Sequence, residues 1–277
     1  MLFLKLAGGL VASYILVAVL VTLAQDKLLF PGSAVSNGSS LPAHAQRLSV
    51  VTASGDRLIG THVASAQQGR TTGSLVVGFG GNAWNADDMV IYLRSIFPGQ
   101  DIVAFHYRGY GPSTGGPSAQ AILDDALSIY DDVVSRLEPD SVVAVGFSLG
   151  AGPAAHLASS RPVAGAILVT PFDTLMALAR EHYPWLPVRL LLRHRMDVAG
   201  SVADVPGAVA VIAASNDTVV PPRRTVAVRK SARQLVVDRV IAGAGHNDIY
   251  DRAEFSRAMQ EALALIEAGH QDTPSSL

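Results

Sequence analysis

The chain contains no cysteine in 277 residues, which excludes structural disulfides, thiolate catalysis and cysteine-bound zinc together. Charge is also scarce. Only 16% of residues are charged and the formal net charge is −2, so the chain lacks the basic excess that a nucleic acid or other polyanion requires, and no nucleic-acid partner is expected. The eight histidines stand at 44, 62, 106, 156, 182, 194, 246 and 270, with no H-x-x-x-H or comparable spacing. A metal site would have to be assembled from scattered positions, and neither a metal nor a cofactor is expected.

What the chain does have, first, is one long uncharged run. Residues 6–24, LAGGLVASYILVAVLVTLA, are bracketed by Lys5 and by Asp26 and Lys27. At about 1.5 Å per helical residue this run nearly matches the ~30 Å hydrocarbon core of a bilayer. The apolar region of a secretory signal is shorter, about 7 to 15 residues. Residues 1–26 therefore read as a single-pass membrane anchor or uncleaved signal. Cleavage after Thr22-Leu23-Ala24 is the rival, and Lys5 with the amino terminus favours a catalytic domain on the extracytoplasmic side. Residues 27–46 read as a linker, because 30–45 is rich in proline, glycine and serine without an apolar period. A domain over 47–270 and a flexible tail over 271–277 complete the organisation.

Within the domain, residues 47–53 and 57–64 are β-rich runs joined by Ser54-Gly55-Asp56, a hairpin signal. From Ser74 onward, near-continuous apolar strand runs alternate with helical patterns: SLVVGF, DIVAFHY, SVVAVGF, GAILV, AVAVIAA and QLVVDRVI. This predicts an α/β fold with a mostly parallel sheet covered on both faces, whose functional groups belong at the carboxyl ends of the strands.

The third of those strands runs into Gly146-Phe147-Ser148-Leu149-Gly150 and then an alanine-rich helical stretch. A nucleophile raised on so tight a strand-to-helix turn leaves no room for side chains two residues away on either side, so glycine is required there. Gly111-Pro112-Ser113-Thr114-Gly115 fits the same pattern, but Pro112, Pro117 and paired glycines forbid a helix directly after Ser113. Context selects Ser148 as candidate nucleophile.

Asp217 and His246 each follow a later strand, in the order Ser, Asp, His. A serine hydroxyl is a poor nucleophile until an imidazole takes its proton, and the imidazole needs a carboxylate to set its tautomer. Asp173, just past GAILV, is a second candidate acid; Asp217 is preferred because its strand directly precedes that of the histidine. Asp248 and Asp251 lie too close to His246 and read as caps of the last helix. Oxyanion donors are expected from main-chain N–H groups of Leu149 and of Asn82 or Ala83, in a glycine-rich loop that lets the backbone approach a substrate.

Four blocks carry a family resemblance: Gly80-Gly81-Asn82-Ala83, Tyr107-Arg108-Gly109-Tyr110-Gly111, Gly146 to Gly150, and Asn216-Asp217 with Gly245-His246-Asn247-Asp248. From about residue 47 to 270 the chain resembles the α/β-hydrolases, especially small membrane-anchored serine hydrolases of esterase, lipase or thioesterase type. The resemblance implies Ser148 as nucleophile, Asp217 as acid, His246 as base, and Asn82 and Leu149 as oxyanion donors. Gly80 stands where the family usually has a supporting histidine, which puts the rigidity of that loop in question. Tyr107 to Gly111 reads as a turn beneath the site, with Arg108 paired to a protein carboxylate or else to an anionic substrate group. Residues 171–206 occupy the place of the family's lid, and mix leucines and Trp185 with Arg180, Arg189, Arg193 and Arg195. Such a stretch can roof an acyl pocket or rest on a bilayer, or it can simply pack on the core. The expected activity is cleavage of an ester or thioester with an apolar acyl group on a small-molecule or lipid substrate, with a peptidase or an inactive membrane-bound binding module as alternatives.

Overall fold

The structure is a computed structural model that describes residues 1–65 and 74–271; residues 66–73 and 272–277, which include most of the expected tail, lie outside the described residues. The chain opens with one long helix, α1 (Leu2–Leu29), which ends a little beyond the expected anchor. It is long and apolar enough to cross a membrane, and nearly all of it is uncovered by the rest of the chain. The stretch expected to be a linker is docked, not loose. Phe30 is buried, the Asn85 amide donates to the Ser36 carbonyl at 2.9 Å, and the Ser39 N–H donates to Asp88 at 2.7 Å.

Among the described residues the eight strands form one sheet: β1 (Gln46–Val51), β2 (Arg57–Val63), β3 (Ser74–Phe79), β4 (Asp101–Phe105), β5 (Ser141–Phe147), β6 (Gly165–Val169), β7 (Ala208–Ala214) and β8 (Leu235–Ile241). Their order is β1-β2-β4-β3-β5-β6-β7-β8. β1 pairs antiparallel with β2 through the expected hairpin, and β2 pairs antiparallel with β4. From β4 to β8 every neighbouring pair is parallel. β3 to β6 are buried along almost their whole length, which is why they read as apolar runs without alternation.

The helices after α1 are α2 (Ala86–Ile96), α3 (Ala119–Leu137), α4 (Ala151–Ser160), α5 (Leu175–His182), α6 (Val188–Leu191), α7 (Val198–Ala203), α8 (Pro222–Ser231) and α9 (Ala253–Gln271). Local chemistry starts several of them. Asn85, Ser118, Thr174 and Asp197 each accept a hydrogen bond from an early main-chain N–H of α2, α3, α5 and α7, as N-caps do. One core layer holds α2 and α9 against the sheet. The opposite layer holds α3, α4 and α7, with Val228 of α8 among them. In α4, Ala151, Ala154, Ala155 and Ala158 are buried, and their small side chains let the helix lie close to the strands.

The order of the strands creates the place for a site. The chain leaves β3 to make β4 on one side and then crosses to make β5 on the other. At such a reversal the loops after the two strands diverge and leave a crevice outside their carboxyl ends. The loop holding Gly80 to Ala83 follows β3, and Ser148 follows β5.

The segment 171–206 divides. Met196, Val198, Val202 and Val205 are buried in the core beside α4, so its second half is not a lid. The first half, around Tyr183 to Leu192, leans on α1.

Candidate active site

Ser148 sits on a strained turn. Its φ is +51°, in the left-handed region that costs a side-chain-bearing residue energy and that clusters at functional sites. The flanking glycines are there for steric reasons. A Cβ on Gly150 would overlap the Phe79 carbonyl oxygen, and one on Gly146 would overlap that of Gly150. A single turn of 3-10 helix, Ser148–Gly150, leads directly into α4. The Leu149 N–H thus lies at the start of a helix, where main-chain donors are unspent.

The histidine and acid loops converge on this turn. The Ser148 hydroxyl and His246 Nε2 lie 3.0 Å apart, and His246 Nδ1 is 2.7 Å from Asp217 Oδ2. The other oxygen, Asp217 Oδ1, accepts from the Val219 N–H at 2.9 Å and the Val220 N–H at 2.7 Å. With Asp217 buried, its carboxylate has one oxygen held by the backbone and one presented to the ring. The two loops are joined as well: the Asn216 N–H donates to the Ala244 carbonyl at 2.8 Å.

The other candidates lie elsewhere. Asp173 accepts from Arg224 at 2.8 Å and from the Thr174 N–H at 2.8 Å. Ser113 is buried; its hydroxyl accepts from the Ile59 N–H at 2.9 Å and donates to the His106 carbonyl at 2.8 Å. Asp248 does not cap the last helix, which begins at Ala253. It accepts from the Gly245 N–H at 2.6 Å and pairs with Arg252, closing the loop that carries His246.

The loop after β3 lies against the serine, since a Cβ on Gly81 would come within 3.8 Å of that of Ser148. Ala83 has a φ of +61° and turns this loop into α2. The Asn82 side chain is already committed. Its Nδ2 donates to the Leu29 carbonyl at 3.0 Å and its Oδ1 accepts from the Tyr110 hydroxyl at 2.8 Å, which fixes the side chain and leaves its main-chain N–H as a candidate donor to a substrate oxygen.

Sequence reasoning located the turn at 107–111 but missed what its tyrosines do. The Tyr107 hydroxyl donates to the Gly80 carbonyl at 2.7 Å. Tyr107 and Tyr110 thus brace the loop after β3. Burial pushes both phenols well above their ordinary range, so both stay protonated as donors. Arg108 is held by Asp125, Asp56 and Ser54, which makes it a structural ion pair and not a substrate-binding group. Beneath the serine, Phe147, Trp84, Tyr92 and Tyr250 form an aromatic cluster with ring centroids 5.1 to 6.3 Å apart. Such ring contacts stiffen the end of β5.

A strained serine, a histidine and a carboxylate on three loops at the carboxyl edge of this sheet are the features of an α/β-hydrolase. The chain belongs to that family. Residues 75–203 match the model described as alpha/beta hydrolase fold; the matched stretch contains Ser148 but ends before Asp217 and His246. An uncharacterized protein of Mycobacterium tuberculosis is 34% identical over 231 residues, covering 80% of this chain and 79% of that one. The lysophosphatidylserine lipase ABHD12 of Macaca fascicularis is 27% identical over 201 residues, covering 62% of this chain but only 50% of the longer relative. Among solved structures, the Pyrococcus furiosus esterase Pf2001 superposes with a TM-score of 0.66 at 17% identity, covering 83% of this chain and 96% of that one. A thermophilic esterase from Thermogutta terrifontis does so at 0.60 and 17%, covering 80% and 99%. The chain is a hydrolase, with a lipase among its relatives and esterases among the solved structures that share its fold.

Proposed function

We infer that the chain is a membrane-associated serine hydrolase that cleaves carboxylic esters of apolar acyl groups through an acyl-enzyme. The observation that supports this most directly is the unbroken line of hydrogen bonds from the Ser148 hydroxyl through His246 to Asp217, at 3.0 and 2.7 Å. Ser148 Oγ attacks the ester carbonyl as its proton passes to His246 Nε2. Asp217 stays ionised, sets the tautomer of the ring and stabilises the imidazolium. The oxyanion takes hydrogen bonds from the main-chain N–H of Leu149 and of Asn82 or Ala83. The alcohol leaves with the proton from His246. Water activated by the same ring then releases the carboxylic acid and restores the serine.

The substrate class comes from the surroundings. Relatives include a lysophosphatidylserine lipase, and α1 is long and apolar enough to cross a membrane, which together support a lipid ester as the substrate. Ahead of the candidate cleavage point, Ala18 is buried and the Tyr14 hydroxyl donates to the Trp185 carbonyl at 2.9 Å. That supports a retained anchor, with Lys5 on the inner side and the catalytic domain on the extracytoplasmic face.

The test is Ser148→Ala. Turnover of a p-nitrophenyl ester should fall by ~10³-fold or more, and reaction with a fluorophosphonate probe should disappear. A variant that keeps most of either activity overturns the assignment. A panel of ester, thioester and aminoacyl-amide substrates ranks the leaving groups, and preferred turnover of the amide would move the reading to a peptidase.

A further inference from the structure

The end of α1 and the first half of segment 171–206 enclose a cavity of about 260 Å³. Val21, Leu28 and Leu29 form one wall, and Tyr183, Leu186 and Leu191 the other. Thr22 and Gln25 also line it, but their polar atoms are turned to protein partners. The Thr22 hydroxyl donates to the Ala18 carbonyl at 2.8 Å. The Gln25 amide donates to the Thr22 and Leu191 carbonyls at 2.7 and 3.2 Å and accepts from the Arg193 N–H at 2.9 Å. The surface left to an occupant is hydrocarbon.

The wall starts inside the uncharged run and leaves it: Val21 lies within residues 6–24, whereas Leu28 and Leu29 follow the charged Asp26 and Lys27, about 12 Å along the helix axis at ~1.5 Å per residue. The loop reaches further still along the helix. The Tyr14 hydroxyl donates to the Trp185 carbonyl at 2.9 Å, and the two rings meet edge to face at 6.5 Å. A loop carbonyl among lipid tails is tolerated only if a protein donor satisfies it, and Tyr14 is that donor. Trp185, Tyr183 and Leu190 are 52%, 51% and 85% exposed. That exposure is costly in water and favourable against lipid. Arg180, Arg189 and Arg195 of the same segment are exposed beside them, suited to the headgroup level.

The cavity is also tied to the loop beside the serine. None of its lining residues is Ser148, Asp217 or His246; the connection is Leu29, whose carbonyl accepts from Asn82 in the loop that lies against the serine. We propose that this cavity is the acyl-chain site for a membrane lipid with a single chain, entered sideways from the bilayer, so that the anchor helix is a wall of the substrate site as well as a tether. A volume of 260 Å³ lies just under the ~300–1,000 Å³ of sites for drug-sized molecules, and suits one chain, not two. The proposal rests on the serine-hydrolase reading above.

The experiment uses the full chain in phosphatidylcholine vesicles and compares kcat/KM for p-nitrophenyl palmitate and p-nitrophenyl butyrate. Val21→Trp and Leu186→Trp fill the cavity and should lower the palmitate-to-butyrate ratio by ~10-fold or more; Leu10→Trp, on an exposed face of α1, should move it less than ~2-fold. An unchanged ratio in both cavity variants overturns the proposal. A second measurement needs no variant: a fatty acid carrying a diazirine near its tail should crosslink the wild-type chain within residues 21–29 or 183–192, and crosslinks confined elsewhere overturn it. The serine reading fails separately, through persistence of butyrate hydrolysis in Ser148→Ala, whereas crosslinking reports on the cavity whether or not Ser148 is the nucleophile.

Discussion

The rim that carries Ser148 and the junction between α1 and the segment 171–192 are built in opposite ways. At the rim, the sheet backbone, the overlap that forbids side chains at Gly146 and Gly150, and an aromatic cluster around buried Phe147 hold the serine in a conformation that it would not otherwise adopt. At the junction, α1 is nearly uncovered and is joined to the domain by a few side chains: Gln25, Asp26, Tyr14 and Asn82. His194 Nε2 and Arg193 both meet Asp26 Oδ1, at 2.7 and 3.0 Å. A chemical centre needs sub-ångström placement, which over-determined packing supplies. A wall that admits a lipid has to yield, and a small set of polar contacts can open at low cost.

That contrast breaks most sharply at Asp217→Asn. The amide can still accept from the Val219 and Val220 N–H groups, so the loop should keep its shape. It would however present an N–H to His246 Nδ1, and turnover should fall by ~10³-fold or more with little change in melting temperature. A variant within tenfold of the native rate would remove Asp217 from the site.

Tyr107→Phe sharpens the comparison from within the rim. It leaves the buried Gly80 carbonyl without its donor, at a cost of about 1–3 kcal/mol. The loop beside the serine should loosen and kcat fall about tenfold, with KM nearly constant, because binding of the acyl chain is not its task. A rise in KM alone would assign Tyr107 to substrate binding.

At the junction, Gln25→Leu removes the bonds to Leu191 and Arg193 while keeping the helix apolar. Amide exchange over residues 185–193 should rise ~10-fold, equivalent to about 1.4 kcal/mol of local stability, while exchange in β5 stays unchanged. Equal acceleration in both places would mean that anchor and core unfold as one unit.

The smallest effect belongs to neither region. His106 is buried and its Nε2 lies 3.8 Å from Asp87 Oδ1. Burial holds its imidazole below the ordinary 6.5, although the Asp87 charge pulls the other way. The unfolded chain therefore binds a proton that the folded chain refuses, so stability falls as pH drops below about 6.5 toward the lower folded value. His106→Gln should flatten the pH dependence of urea midpoints between pH 7 and 5, and an unaltered slope would show that His106 contributes nothing to it.

The legible parts of the molecule are those with local causes. The β5 turn was readable because glycine sterics act over two residues, and the apolar runs from β3 to β7 because strands buried along nearly their whole length have no polar face to interrupt them. The hairpin between β1 and β2 was legible in Ser54-Gly55-Asp56 alone, with Gly55 at a φ of +84°. The linker and the lid were harder. Residues 30–39 have the composition of a free tether, yet Phe30 is buried and Asn85 and Asp88 hold Ser36 and Ser39, contacts made 49 residues away that no composition reports. The segment 171–206 has one amphipathic pattern but two fates, since Met196 to Val205 meet α4 while Tyr183 to Leu192 meet α1.

By itself the sequence determined that a parallel sheet would form, that a serine would stand on its strained turn, and that an apolar helix would precede it. Each of these depends on neighbouring residues or on a short period. Only the tertiary structure decided that Asp217 and not Asp173 meets His246, that two tyrosines brace the loop after β3, and that α1 shares a cavity with residues 179–192. Those outcomes depend on strand order and on side chains brought together from opposite ends of the chain, whose separation in sequence carries no trace of their separation in space.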